Sequence, residues 1–305
     1  SAFLFPSKIK WSRNLKSRFK RGLKEEFTET QIEKINYRPF SYHVFYNSSL
    51  FIDEHGQTEN IFNQDNLGIC ISGNNSSKHF QSLAVNTFPS LDLLEKTQCI
   101  PLYYSKVGKS QSNVTQWAVE QFTTKYTDKT INDEAIFHYV YAVLHHPAYR
   151  KKYEINLKRE FPRIPLYDHF WQWAKWGEEL MNLHLNYETI EPWGLIRKDI
   201  DQKEQPKAKL KAEKTTGVIT LDENTELHGI PALAWTYKLG NRSALEWILD
   251  QYKEKKPSDP TIAEKFNTYR FADYKDKVIE LLDRVCRVSV VTMEIMGKMP
   301  ESSPE

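Results

Sequence analysis

The sequence predicts an α+β chain: a small, mostly antiparallel sheet part with polar loops, a helical middle region, and a C-terminal hairpin followed by helices. Three observations carry this. From Tyr37 to Tyr104, short β-branched and aromatic runs (YRPFSYHVFYN, LGICISG, SLAVNTF, CIPLYY) are bounded by Asn, Gly, Ser or Pro. From Val114 to Leu185 the apolar residues recur at helical spacing. Beyond Thr216, GVITLDENTELHGIP reads as two strands about a turn at Asp222-Glu223-Asn224, with helical stretches following around Ser243 to Tyr252 and Tyr274 to Met296.

The bulk composition agrees. A chain of 305 residues with 40% hydrophobic and 13% aromatic residues has material for two or three cores and is not a disordered composition. The formal net charge is only +2, so any polyanion site must come from local clustering. Cys70, Cys99 and Cys286 are far apart in sequence, and no two have metal or redox spacing. With no signal peptide and no apolar run of membrane-spanning length, the expected setting is a reducing cytoplasm. The opening SAFLFPSKIKW lacks an initiator Met and reads as a cut within a longer protein.

Residues 1–36 are expected to be a basic helical segment joining to an upstream domain. Lys8, Lys10, Arg13, Lys16, Arg18, Lys20, Arg21 and Lys24 all precede the first acid, Glu25, and Trp11, Leu15 and Phe19 recur as a helical apolar stripe. A solvated amphipathic helix and a phosphate-contacting one fit this pattern equally. Residues 37–112 form the sheet part, with the polar loop Gly73 to His79 between two strands. Residues 113–198 are helical. Within them, Asp133 to Tyr167 reads as an apolar helix, a break at His145-His146-Pro147, a strongly basic second helix, and a stop at Phe161-Pro162. The stretch His169 to Leu185 is a further helix with Trp173, Trp176 and Leu180 on one face. Residues 199–216 are polar with alternating charge and Pro206, as in a linker or exposed loop, and 217–305 complete the chain.

Several chemistries are disfavoured. Val107-Gly108-Lys109-Ser110 resembles the end of a phosphate-binding loop, but Tyr103 stands where the first glycine belongs; Lys78 fails similarly, with Ser77 and His79 beside it. His138 and His145 share a helix face without an evident third ligand, so helix-end histidines are favoured over a metal site. Trp171, Trp173 and Trp176 fit core packing better than a base-stacking platform. Arg38, held extended before Pro39, is read as a buried structural arginine pairing an acid across domains, in preference to a DNA contact.

The order YRPFSYHVFYN, NLGICISG, IPLYY, the helix-break-helix segment ending FPRIPL, and GIPALAWTYKLGNRSALEWILDQY resembles the C-terminal part of type ISP restriction-modification enzymes and related single-chain methyltransferase-nucleases. The resemblance covers most of the chain. It implies a target recognition region whose parent carries a nuclease, a helicase-type ATPase and an adenine methyltransferase, and uses S-adenosylmethionine, ATP and Mg. The methyltransferase motif, its glycine-rich cofactor loop and the helicase motifs are missing here, so no cofactor is expected in this chain. The expected partners are double-stranded DNA and upstream methyltransferase and helicase-type domains, in the same polypeptide or a partner chain.

In such a module, phosphate contacts give affinity and base-edge contacts give sequence. The expected phosphate contacts are Arg13, Lys16, Arg18, Lys20 and Arg21, then Arg150, Lys151 and Lys152. The expected base readers are Asn74, Asn75, Ser76, Lys78 and His79, then Lys106, Lys109, Ser110 and Gln111, with Arg242 in the turn after Gly240-Asn241. The competing expectation is a helical coupling module that docks motor or methyltransferase domains without reading DNA.

Overall fold

The computed structural model of the chain describes residues 12–53, 59–62, 65–106, 109–255, 260–265 and 269–301. In chain order, α1 (Arg13–Lys20) leads to the antiparallel pair β1 (Ile32–Arg38) and β2 (Ser41–Tyr46). Then come α2 (Glu59–Phe62), β3 (Gly68–Ile71), β4 (Ser82–Val85), β5 (Phe88–Pro89), β6 (Gln98–Pro101) and the hairpin of β7 (Tyr103–Lys106) and β8 (Lys109–Ser112). The helical middle is α3 (Gln116–Tyr126), α4 (Asp133–His145), α5 (Pro147–Lys152), α6 (Glu154–Arg159) and α7 (Phe170–Leu185). The last part holds β9 (Ile196–Asp199), β10 (Ala208–Glu213), β11 (Val218–Asp222), β12 (Thr225–His228), β13 (Lys238–Leu239), β14 (Arg242–Ser243), α8 (Ala244–Gln251), α9 (Pro260–Lys265) and α10 (Lys275–Gly297). This is the α+β architecture the sequence predicts. Among the described residues no helix is long and apolar enough to cross a membrane.

Local chemistry sets most boundaries. Thr115 and Asn132 cap α3 and α4 by accepting from the Ala118 and Ala135 amides, and Ser243 with Glu246 forms a reciprocal cap on α8. Pro147 ends α4 because its ring and missing N–H cannot continue the ladder, and it starts α5 at a position where no N–H is needed.

Three expectations are corrected. The stretch Tyr37 to Asn47 is not one strand: β1 begins at Ile32, and Pro39-Phe40 turns the chain into β2 with Phe40 at φ 56°. Phe40 is nonetheless 2% exposed and packs edge-on against Tyr187 at 5.2 Å, so tertiary packing offsets a left-handed backbone. The basic second helix is two short helices, α5 and α6, meeting at Tyr153. Residues 199–216 contain β10, which joins the sheet β10-β11-β12-β9. Of the apolar stripe on α1, Trp11 lies outside the described residues, Leu15 is half-buried and Phe19 is 43% exposed. Polar contacts hold α1 to the loop after β2. Ser12 Oγ donates to Asp53 at 2.5 Å, and the Arg18 guanidinium donates to the Leu50 and Ile52 carbonyls at 3.0 and 2.7 Å.

Among the described residues two hydrophobic cores are built, and the sheet β4-β3-β6 is the wall between them. Every residue of β3 and β4 is buried. Strand alternation sends Ile69, Ile71 and Ala84 into the core of α3, α4 and α7, and Cys70, Leu83 and Val85 into the core with β11, β12, α8 and α10. At roughly 1.5–3 kcal/mol per large apolar side chain, each face of the wall is worth several kcal/mol. Cys70 sits opposite Cys99 in the β3–β6 register, so two cysteines far apart in sequence become cross-strand neighbours, and burial pushes the Cys70 thiol up. The hairpin of β11 and β12 is pinned to α10 by Lys275, which meets Asp222 at 2.8 Å and Thr225 at 2.5 Å.

A buried polar chain crosses from one core to the other. The Tyr141 hydroxyl accepts from the Ala84 amide at 2.8 Å and shares a 2.6 Å hydrogen bond with His184 Nδ1, while His184 Nε2 meets Thr292 at 3.0 Å. Tyr237 stacks on the His184 ring at 5.4 Å. Burial, aided by the Arg150 charge, pulls His184 down to about 3, so it is neutral in the fold.

Helices α4 and α7 approach so closely that a methyl group on Gly177 would stand 1.7 Å from the His138 carbonyl oxygen. A glycine inside a helix costs about 1 kcal/mol against alanine, and here contact with α4 offsets it. Gly177→Ala is therefore expected to destabilise the chain by about 3 kcal/mol or more, read from denaturant unfolding midpoints. A second expectation follows from His184. Its folded pKa lies below the unfolded value, so stability is intact above pH 6.5 and falls as the pH drops towards 3, where the folded histidine itself titrates. Each unit of that window costs about 1.4 kcal/mol. Thermal unfolding at a series of pH values should show this slope, and His184→Gln should remove its share while leaving that of His145, which burial depresses in the same direction.

Candidate nucleic-acid interface

The strands place the polar loops at definite ends of the wall. In the antiparallel register Ile71 faces Gln98 and Gly68 faces Pro101. The loop of residues 72–81 therefore leaves one end of β3, while the hairpin β7–β8 leaves the other. The ten expected base readers thus fall into two separated groups, with Arg242 joining the first.

The first group is the more elaborate. The loop is closed by the Ser72 amide donating to the Gln81 carbonyl at 3.1 Å and turned by the Ser76 amide donating to Gly73 at 3.2 Å. Asn74 and Asn75 are exposed, and the Asn75 amide donates to the Lys158 carbonyl at 2.7 Å, which seats the loop on the end of α6. His79 is exposed and pairs with Glu154 at 3.1 Å. Ser76 is not available as a reader: it is 9% exposed and its hydroxyl donates to Glu95 at 2.5 Å.

Lys78 and Arg242, far apart in sequence, meet over one indole. The Arg242 guanidinium lies 5.0 Å and the Lys78 ammonium 5.8 Å from the Trp247 ring centroid. Trp247 is fixed by its Nε1–H donating to the Leu239 carbonyl at 2.9 Å. Gly240, at φ 70° in the β13–β14 turn, packs against Lys78 and Gln81, and any Cβ there would stand 3.0 Å from Lys78 Cδ. Asp250 holds Arg242 at 3.2 Å and Lys255 at 3.3 Å. Together with Arg38 and Glu95 these groups line a cleft of about 410 Å³. Its wall carries four cationic side chains (Arg38, Lys78, Arg242, Lys255) and three carboxylates (Asp92, Glu95, Asp250). Such a mixed donor and acceptor set suits base edges better than a bare phosphate, which wants cations alone. Arg38 does pair with an acid, but one of its own sheet part rather than across domains, and its side chain is partly exposed rather than buried: its guanidinium donates to the Asp92 carbonyl at 2.9 Å, stands 3.8 Å from the Asp92 carboxylate and lies 4.5 Å over the Tyr37 ring.

The second group sits on the β7–β8 hairpin. Lys109, Ser110 and Gln111 are exposed, and Gln111 accepts from the Tyr104 hydroxyl at 3.1 Å. Lys106 faces Lys109 in the backbone register, while its side chain, Val107 and Gly108 lie outside the described residues.

The expected phosphate contacts divide as well. Arg13, Lys16, Lys20 and Arg21 are exposed on and just after α1, and Lys151 and Lys152 on α5; Lys8 and Lys10 lie outside the described residues. Arg18 is committed to carbonyls of the loop after β2, and Arg150 is turned inward. The Arg150 Nε donates to the Leu144 carbonyl at 2.5 Å, its guanidinium lies 5.7 Å from the Phe80 ring, and its Nη2 is buried with no protein partner. Burial pulls its pKa to about 10, so it stays cationic. The Arg150 residue as a whole is partly exposed, but its head group faces inward beside Tyr141, Tyr237 and His184 rather than out towards a phosphate.

Of the side groups weighed from sequence, Trp173 is core at 2% exposure, whereas Trp171 is 49% exposed with its indole N–H donating to Asp128 at 2.9 Å. His145 and His146 are both buried, and His146 bridges the Tyr167 hydroxyl and the Pro300 carbonyl. Among the described residues no group of three or more His, Cys, Asp or Glu side chains is placed to hold a metal ion.

A family model, the Type ISP C-terminal specificity domain, matches residues 5–281. The chain belongs to this family. Solved structures agree with the assignment. The chain of a cryoEM structure of a DrdV–DNA complex is 46% identical with a TM-score of 0.95, the match covering 98% of this chain and 31% of that one. A nuclease-deletion mutant of the Type ISP restriction-modification enzyme LlaGI, in complex with a DNA substrate mimic, is 29% identical with a TM-score of 0.79, over 97% of this chain and 27% of that one. The ATP-dependent Type ISP enzyme LlaBIII bound to DNA is 26% identical with a TM-score of 0.80, over 97% and 20%. The specificity domain thus spans at most about a third of these proteins. No curated protein matches the chain.

Sequence reasoning missed Glu95, Trp247, Asp250 and Lys255. Trp247 and Asp250 lie in an ordinary amphipathic helix, and nothing local marks that helix as facing the loop after β3. The buried role of Arg150 gives a direct test. Arg150→Ala should lower stability by about 3 kcal/mol, because it leaves a cavity and frees the Leu144 carbonyl. Arg150→Met, which keeps the volume and removes a buried charge, should be clearly less damaging in the same unfolding measurement.

Proposed function

We propose that this chain is a sequence-specific duplex-DNA recognition module of a restriction-modification enzyme, without a methyltransferase, nuclease or ATPase site of its own. In this reading its parent methylates adenine with S-adenosylmethionine and drives restriction with ATP and Mg through other domains. The observation that carries the reading is the convergence of Lys78 and Arg242 on Trp247, flanked by Asp250 and Glu95, at the mouth of a polar cleft. Membership of a specificity-domain family and likeness to enzymes solved on DNA support it.

The division of labour then assigns Arg13, Lys16, Lys20, Arg21, Lys151 and Lys152 to phosphates. Lys78, Arg242, Asn74 and Asn75 read bases from one end of the wall. Lys109, Ser110 and Gln111 reach the duplex from the other end. A duplex is long enough to meet both groups, so their separation is compatible with a single binding face.

A second reading has its own observation. An apolar groove of about 550 Å³ runs between α3, α4 and the segment after α6, with Trp117 68% exposed at its edge. That surface favours a helical coupling role towards neighbouring domains, which can coexist with DNA recognition.

Fluorescence anisotropy against a panel of duplexes tests the main reading. If all six exposed basic residues engage phosphates, affinity should fall on the order of a thousandfold between about 50 and 200 mM salt. Lys78→Ala and Arg242→Ala should each reduce discrimination at one base pair by about tenfold or more while leaving the salt slope nearly unchanged. Absence of binding at low salt, or equal weakening on every duplex, would count against base readout.

A further inference from the structure

We propose that Glu95 is a positioning residue for sequence readout: its carboxylate clamps Ser76 and Ser77 and so holds Asn74, Asn75 and Lys78 in one fixed loop shape. This inference rests on the DNA-recognition reading above and adds a specificity residue that touches no base itself.

The clamp is visible contact by contact. The Ser76 and Ser77 hydroxyls donate to the two Glu95 carboxylate oxygens at 2.5 and 2.9 Å. The Lys78 amide in turn donates to the Ser76 hydroxyl at 3.2 Å, so the same group orders the residue that carries the cation. The two loops are joined along their backbones as well. The Gly73 amide donates to the Glu95 carbonyl at 3.2 Å, and the Lys96 ammonium donates to the Asn75 carbonyl at 3.1 Å. A Cβ on Gly73 would stand 2.2 Å from the Lys96 carbonyl oxygen, so only glycine permits this approach.

The loops need holding. Asn75, Glu95 and Lys96 all have positive φ, at 59°, 76° and 51°. Each such non-glycine residue costs on the order of 1 kcal/mol or more, and the shape persists only because surrounding contacts over-determine it. A loop ordered in advance does not have to be ordered at the moment of binding, which is where an unclamped loop loses selectivity.

A carboxylate beside Lys78 repels DNA phosphates and so opposes affinity. Neutral side chains would be the better choice for a merely solvated loop. The hydrogen bond from Ser76, foremost among several, holds the carboxyl below the usual carboxylate range, so the group stays ionised through the neutral range.

The test uses the whole 305-residue chain and three variants: Glu95→Gln, Glu95→Ala, and Ser76→Ala with Ser77→Ala. The probes are a duplex selected by the wild-type chain from a randomised pool and a scrambled duplex of equal length. Both Glu95 variants should bind the scrambled duplex a few-fold more tightly at low salt, because a repulsive charge is gone. Their preference for the selected duplex should nevertheless fall by about tenfold, as for loss of a charge-assisted hydrogen bond. The double serine variant keeps the charge, so it should lose preference without that gain. Hydrogen exchange at residues 74–79 should quicken in all three, with unfolding midpoints nearly unchanged. Unaltered exchange overturns the clamp, and quickened exchange with unaltered preference overturns its part in readout. A wild-type chain with no preferred duplex overturns the recognition reading and the readout role with it, while exchange still decides the clamp.

Discussion

A strand buried on both faces is the constraint on which the rest of this structure depends. β3 and β4 give one row of side chains to the helices α3, α4 and α7 and the other row to α8, α10 and the sheet that begins at β9. A slip of one residue would exchange the two rows and spoil both cores, so the register is fixed from either side. Once it is fixed, the loop after β3 must emerge at one end and the β7–β8 hairpin at the other. The positions of the candidate readers are thus set by packing far beneath them.

The polar chain through Tyr141, His184 and Thr292 makes the same point for the interior. Groups from α4, α7, α10 and β4 satisfy one another across the boundary between the cores. Arg150 adds a charge to this region and is held by the end of α4 and the ring of Phe80, at the base of the loop after β3. Such groups do little for net stability compared with apolar side chains of the same size, but they penalise any packing in which their partners are not aligned.

What the sequence made legible was local. Pro147 ends a helix by its own covalent structure; Asp222-Glu223-Asn224 turns a hairpin; Asn132 caps the apolar helix it precedes. The segments from YRPF to FPRIPL also carry enough family character to place the chain among type ISP specificity regions, as the family match bears out. Burial and tertiary neighbours were not legible. Arg150, Lys151 and Lys152 are one basic run in sequence, yet the first points inward and the other two are exposed, a distinction set by helical phase and by what lies beneath. Ser76 reads like any loop serine until Glu95 arrives from a second loop. Cys70 and Cys99 have no meaningful spacing until β3 and β6 align them. The strand at β10 was hidden by its charges, since only Leu210 is fully covered there.

The indole shared by Lys78 and Arg242 has a thermodynamic consequence. Two cations close to one indole share its negative potential and repel each other, so neither has an energy of its own. If a ligand draws one head group away, the other gains the ring and loses its rival, which lowers the cost of the departure. The pair therefore behaves as one coupled element, and the effects of replacing both should differ from the sum of replacing each. The energetics of this cleft belong to the three side chains together and are not a sum over residues taken one at a time.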